Sequence, residues 1–232
     1  MERFVHSGCK KTLAIALSIL IALSVILVPL SNITTVSAGS SVSGSKVSGI
    51  SSTIYIPSSY KEGTKMPLYV AMHVCTQSYS QFATTTGINS MADEKGFIVL
   101  HLQQSSSNNM MTCFKWYSDQ SRTSTEPKAI VSIIDNVKSK YTIDEDKVFS
   151  FGFTAGAAMA HLLCACYPDV FSGGCVASGI PYKGATSTNY SSAMSSGTSV
   201  SNSNLASYIV SAMSSYKRVP SNFQLASELS TA

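Results

Sequence analysis

The sequence predicts an α/β fold, a mostly parallel sheet with crossover helices. Strand-like and helix-like segments alternate from Ile50 to Ser178. The run Phe97–Leu102 is apolar except for His101, as in a strand covered on both faces. With 44% hydrophobic and only 12% charged residues, the 232-residue chain can bury a sizeable core, which excludes disordered and coiled-coil classes.

The elements follow in order. Residues 39–49 are Ser/Gly-rich and read as a flexible leader. Ile50–Ile56 and Leu68–His73 are β-branched or apolar runs bounded by Pro and Gly, as expected of strands. Tyr79–Glu94 has helical spacing, with Phe82, Ile88 and Met91 on the apolar positions and Gly96 as its stop. After Phe97–Leu102, residues 103–125 form a polar loop holding the only Trp, Trp116. Glu126-Pro127 opens a helix running to Lys140, because Pro is pre-organised for the first helical position. Lys147–Phe153 reads as a strand, Ala155–Cys166 as a helix and Gly173–Ser178 as a short strand. Beyond Pro181 the chain is Ser/Thr/Asn-rich to about Asn204, and a last helix is expected over Leu205–Lys217.

The N-terminus bears on compartment. Lys10 and Lys11 precede the apolar stretch Leu13–Leu30 and the small residues Val36-Ser37-Ala38. This is the order of a secretory signal peptide over residues 1–38, cleaved after Ala38; left uncleaved, the same stretch would be a membrane anchor. The protein is therefore expected to be secreted and extracellular. Export would remove Cys9 and leave Cys75, Cys113, Cys164, Cys166 and Cys175, an odd number, in an oxidising compartment. Asn189-Tyr190-Ser191 is a glycosylation sequon. The net charge of +4 includes +2 from the first eleven residues, and no Lys/Arg cluster follows, so no nucleic-acid partner is expected. Cys164-Ala-Cys166 has no second ligand pair at a zinc spacing, so no metal is expected; the two thiols read as buried small hydrophobes.

The segment that carries chemistry is Gly152-Phe153-Thr154-Ala155-Gly156, between a strand and a helix. Small residues two before and two after a central residue suit a tight elbow that pushes this residue out at the carboxyl end of the sheet. His73-Val74-Cys75-Thr76-Gln77 follows an earlier strand, and Cys113-Phe114-Lys115-Trp116 lies between the next strand and its helix. Taken in order with Arg122–Glu126 and Tyr167–Tyr182, these segments resemble the secreted esterase family that includes poly(3-hydroxybutyrate) depolymerases and feruloyl or acetylxylan esterases. The family patterns are H-G-C-T-Q, C-F-N-W and G-x-S-A-G-G-A-M.

The resemblance implies an α/β-hydrolase fold, a serine-type carboxylic-ester hydrolase without cofactors, and an ester or polymer substrate, either polyester or feruloylated or acetylated polysaccharide. It places Thr154 where the family has its nucleophilic Ser, the backbone N–H groups of Cys75 and Ala155 at the oxyanion hole, and a disulfide between Cys75 and Cys113. It also exposes departures. Thr154, a β-branched residue, would sit at positive φ and store about 1–3 kcal/mol of strain. Val74 and Ala157 replace glycines. Downstream of Thr154 the only histidine is His161, roughly 10 Å along the following helix by the 1.5 Å rise per residue, and Asp169 and Glu228 are poor acids. The family places two more strands and a W-H-G-x-x-D segment after Arg218-Val219, so residues 50–232 are expected to be an incomplete hydrolase domain with its last strands missing and impaired catalysis. The alternative is a non-catalytic secreted module that binds polyester or polysaccharide through a cleft lined by Trp116, Tyr117 and Tyr182.

Overall fold

A computed structural model describes residues 38–118, 120–214 and 216. The signal-peptide reading of residues 1–38 lies almost wholly outside the described residues, as does the end of the helix expected to reach Lys217. Six strands form one sheet: β1 (Ser40–Val47), β2 (Ile50–Ile56), β3 (Met66–Met72), β4 (Ile98–Gln103), β5 (Ile143–Phe153) and β6 (Gly173–Ala177), in the order β1-β2-β4-β3-β5-β6. β1 and β2 join antiparallel, while β4, β3, β5 and β6 run parallel. The parallel register pairs Met72 with both Leu102 and Gly152, and Gly152 with Val176. The carboxyl ends of four strands thus finish at one level, where α/β proteins hold their ligands.

Helices cover both faces. On one, α3 (Thr125–Lys138) and α4 (Ala155–Cys166) pack Ile130, Ile133, Met159 and Leu163 onto Leu68, Val70 and Leu100, all fully buried. On the other, α1 (Tyr79–Thr86) and α2 (Ile88–Lys95) set Phe82, Ile88 and Ala92 against Tyr55, Ala71 and Val99. At about 25 cal/mol per Å² of apolar surface, such side chains each contribute roughly 1.5–3 kcal/mol. Two further helices, α5 (Tyr190–Ser196) and α6 (Asn202–Ser214), follow the sheet.

Three expectations are corrected. The stretch 39–49 is not a flexible leader, since Ser40–Val47 pairs with β2 as an edge strand. Ser48 and Gly49 both take positive φ, as a two-residue hairpin turn requires, and an exposed edge strand needs backbone pairing more than apolar side chains. The helix expected over Tyr79–Glu94 is two helices, divided by Gly87 in the left-handed conformation at φ 65°. That break resets the helical phase, so Met91 is exposed while Ala92 is buried. Finally, the Ser/Thr/Asn-rich stretch contains α5, whose Ala193 is buried.

Candidate active site

Thr154 makes the whole turn between β5 and α4, at φ 47° and ψ −115°. Its N–H donates to the Ala177 carbonyl at 3.1 Å, and its own carbonyl accepts the N–H of Ala158 at 2.9 Å. The flanking glycines are there for space. A Cβ on Gly152 would lie 2.5 Å from the Gly156 carbonyl carbon, and one on Gly156 would lie 2.2 Å from the Met72 carbonyl oxygen and 2.8 Å from that of His73. Backbone therefore packs on backbone, and the first turn of α4 rests directly on the start of the 73–77 loop.

That loop is fixed from several sides. The buried His73 ring donates from Nδ1 to the Val74 carbonyl at 2.7 Å, and its Nε2 accepts the Gln104 N–H at 3.2 Å and lies 3.1 Å from the Gln103 amide nitrogen. Burial pushes its pKa down, against the opposing pull of the Val74 carbonyl, so the ring is neutral. A disulfide joins Cys75 to Cys113. Beside it the Thr76 N–H donates to the Met111 carbonyl at 2.6 Å. Glu126, buried at the start of α3, accepts the Lys115 N–H at 2.8 Å and the Gln104 amide at 2.7 Å, with the Lys115 ammonium 3.8 Å away. Burial raises its pKa, and these partners only partly offset the rise. The loops after β3 and β4 thus form one cross-braced unit beside the turn at Thr154.

Within this unit the Thr154 hydroxyl is buried and has no hydrogen-bond partner among the described residues. Each described imidazole is engaged elsewhere. His73 is held as above, His101 Nε2 bonds Asn89 Oδ1 at 2.8 Å, and His161 Nδ1 accepts the Tyr182 N–H at 3.0 Å. Asp169 forms a two-pronged ion pair with Arg122, whose guanidinium holds the carboxyl below its ordinary pKa although burial raises it. Among the described residues, no group of His, Cys, Asp and Glu could hold a metal ion. Cys164 and Cys166 are buried free thiols, and burial pushes Cys164 up to about 11.

The aromatic cleft of the binding-module reading is not formed as expected. Trp116 and Tyr182 belong to the core, 2% and 5% exposed, and Tyr117 stacks on Tyr190 at 3.9 Å. A segment read as a polar loop places its rings inward because the disulfide and Glu126 tie it down at both sides. Sequence reasoning missed the Gln103-Gln104-Glu126 bracing. Its signal was the pair of amides closing an otherwise apolar strand, where buried polar groups need partners.

The comparisons agree with this architecture. The family described as Esterase PHB depolymerase matches residues 50–229. The chain is 39% identical over 123 residues to "Poly(3-hydroxyalkanoate) depolymerase C" of Paucimonas lemoignei, a match covering 52% of this chain and 30% of that protein. It is 35% identical over 132 residues to "Feruloyl esterase B" of Talaromyces funiculosus, covering 56% of this chain and 36% of that protein. The match thus spans about a third of the length of these curated relatives. Among solved structures, the acetyl xylan esterase from Aspergillus awamori superposes with a TM-score of 0.63 at 22% identity, covering 78% of this chain and 69% of that one. The mostly parallel six-stranded sheet with helices on both faces is the α/β-hydrolase fold that this neighbour shares. With the family matched over nearly all of residues 50–232, the chain belongs to the Esterase PHB depolymerase family.

Proposed function

We propose that the protein is a secreted member of this family whose substrate site is the strand-end cluster around Thr154. The site is directed at carboxylic esters of a polyester or of an acetylated or feruloylated polysaccharide. The N–H groups of Cys75 and Ala155 are the donors for the acyl oxygen, and no cofactor takes part. Secretion is supported by the apolar stretch after Lys10 and Lys11 and by the Cys75–Cys113 disulfide, which belongs to oxidising compartments. Among the described residues, no helix is long and apolar enough to cross a membrane.

Ester cleavage at such a site would add the Thr154 oxygen to the acyl carbon, pass the hydroxyl proton to a base and release the alcohol. Water would then cleave the acyl-enzyme. A neutral hydroxyl attacks poorly until a neighbouring base takes its proton. The unpartnered hydroxyl of Thr154, with every described imidazole committed to another contact, carries the reading that turnover is impaired.

The test is hydrolysis of p-nitrophenyl acetate and methyl ferulate by the purified protein. The expected acceleration is no more than about 10³–10⁴ over water, the level left by binding and an oxyanion hole alone. Turnover on the order of 10 s⁻¹, typical of enzymes, that disappears in Thr154→Ala would refute it.

A further inference from the structure

Away from Thr154, a cavity of about 470 Å³ lies where α1 and α2 lean over the β1 side of the sheet. Its walls include Ser41 from β1, Tyr79, Ser80 and Thr84 from α1, Asn89 from α2 and His101 from β4. The register explains the gap. Ser41 pairs with Tyr55 and Tyr55 with Val99, so Ser41 stands on the face that α1 and α2 cover; a serine there leaves space that a larger side chain would fill.

Three observations narrow the occupant. First, the lining carries no charged side chain, and burial drives the His101 pKa down to about 4, leaving the ring neutral at ordinary pH. A phosphate or carboxylate would meet no cation. Second, His101 is 1% exposed and holds Asn89 Oδ1 through Nε2, with Nδ1 buried, so it meets the cavity as a neutral ring fixed to another wall residue and not as a free polar group. Third, the Tyr79 ring lies 5.9 Å from the His101 ring, so an aromatic surface adjoins the hydroxyls of the wall. Hydroxyl donors, hydroxyl acceptors and one aromatic plate form an environment for a neutral polyhydroxylated ring, and the volume falls within the range of small-molecule sites, roughly 300–1,000 Å³.

We infer that this cavity binds a neutral saccharide unit, one or two rings in size, at a site separate from Thr154. Tyr79, in the first turn of α1, also connects it to the neighbouring loop, because its N–H donates to the Gln103 side chain at 2.8 Å and the Gln103 amide reaches His73.

The experiment is saturation-transfer NMR on the purified protein with xylobiose, cellobiose and maltose, each titrated to about 20 mM, the millimolar range in which weak sites fill. The result expected is saturable binding of at least one disaccharide. Thr84→Trp, an exposed helix position on the wall, should weaken this binding about tenfold or more, and so should Ser90→Trp from the opposite helix, while Ser192→Ala on α5 leaves it unchanged. No saturable transfer to any of the three sugars would overturn the inference, and so would binding that survives both tryptophan variants. No ester is present in this assay, so its failure leaves the reading of Thr154 untouched.

Discussion

Thr154 holds a conformation that its own side chain opposes. At φ 47° and ψ −115° a β-branched residue crowds its backbone, and the cost is about 1–3 kcal/mol, sustained because Gly152, Gly156 and the end of β3 leave the chain no other path. Glycine adopts the same dihedrals without that crowding. Thr154→Gly is therefore expected to stabilise the protein by about 1 kcal/mol, net of the glycine's greater freedom when unfolded. A urea titration should show a higher midpoint at unchanged slope, and a lower midpoint would mean that the threonine is relaxed. The tight turn itself was legible in the sequence, because small residues stand two before and two after Thr154 between a strand and a helix. The partners of the imidazoles were not, since His73 and His101 take theirs from residues far along the chain.

At the scale of elements, the loops after β3 and β4 act together because the Cys75–Cys113 bond closes them across a sequence separation of 38. In the chain-entropy account, a loop of that length is worth about 4 kcal/mol through the unfolded state. The Cys75→Ser, Cys113→Ser double variant should lose about that much in chemical denaturation, and a loss below about 1 kcal/mol would show the bracing by Glu126 and Gln104 to be sufficient alone. Strand and helix positions from β2 to β6 were readable because burial imposes period and length. β1 was not, since Ser40–Val47 gains its place from backbone pairing and from the Ser48-Gly49 turn rather than from side-chain burial. The break at Gly87 was hidden for a different reason: its glycine lies inside a stretch whose apolar spacing continues on both sides.

For the molecule as a whole, three neutral imidazoles set the response to acid. Burial lowers the pKa values of His73, His101 and His161. An unfolded chain takes up these protons near the ordinary value of 6.5, whereas the folded chain resists until lower pH, about 4 for His101. Their stabilising contribution is complete above pH 6.5 and is lost as pH falls through the folded values, about 3 kcal/mol from His101 alone by pH 4. Glu126 has the opposite sign, because its raised folded pKa favours the folded state most in acid. With three groups against one, urea midpoints should fall from pH 7 to pH 5, and His101→Gln should flatten that fall; equal midpoints at both values would contradict it. The burial of Trp116 gives such titrations an optical handle. As the sole indole of the chain, packed edge-on to Tyr117 and three residues from Cys113, it emits from a dry site. Its red shift on wetting would time the loosening of the braced loops separately from the loss of helical circular dichroism, so one cuvette distinguishes local opening from global unfolding.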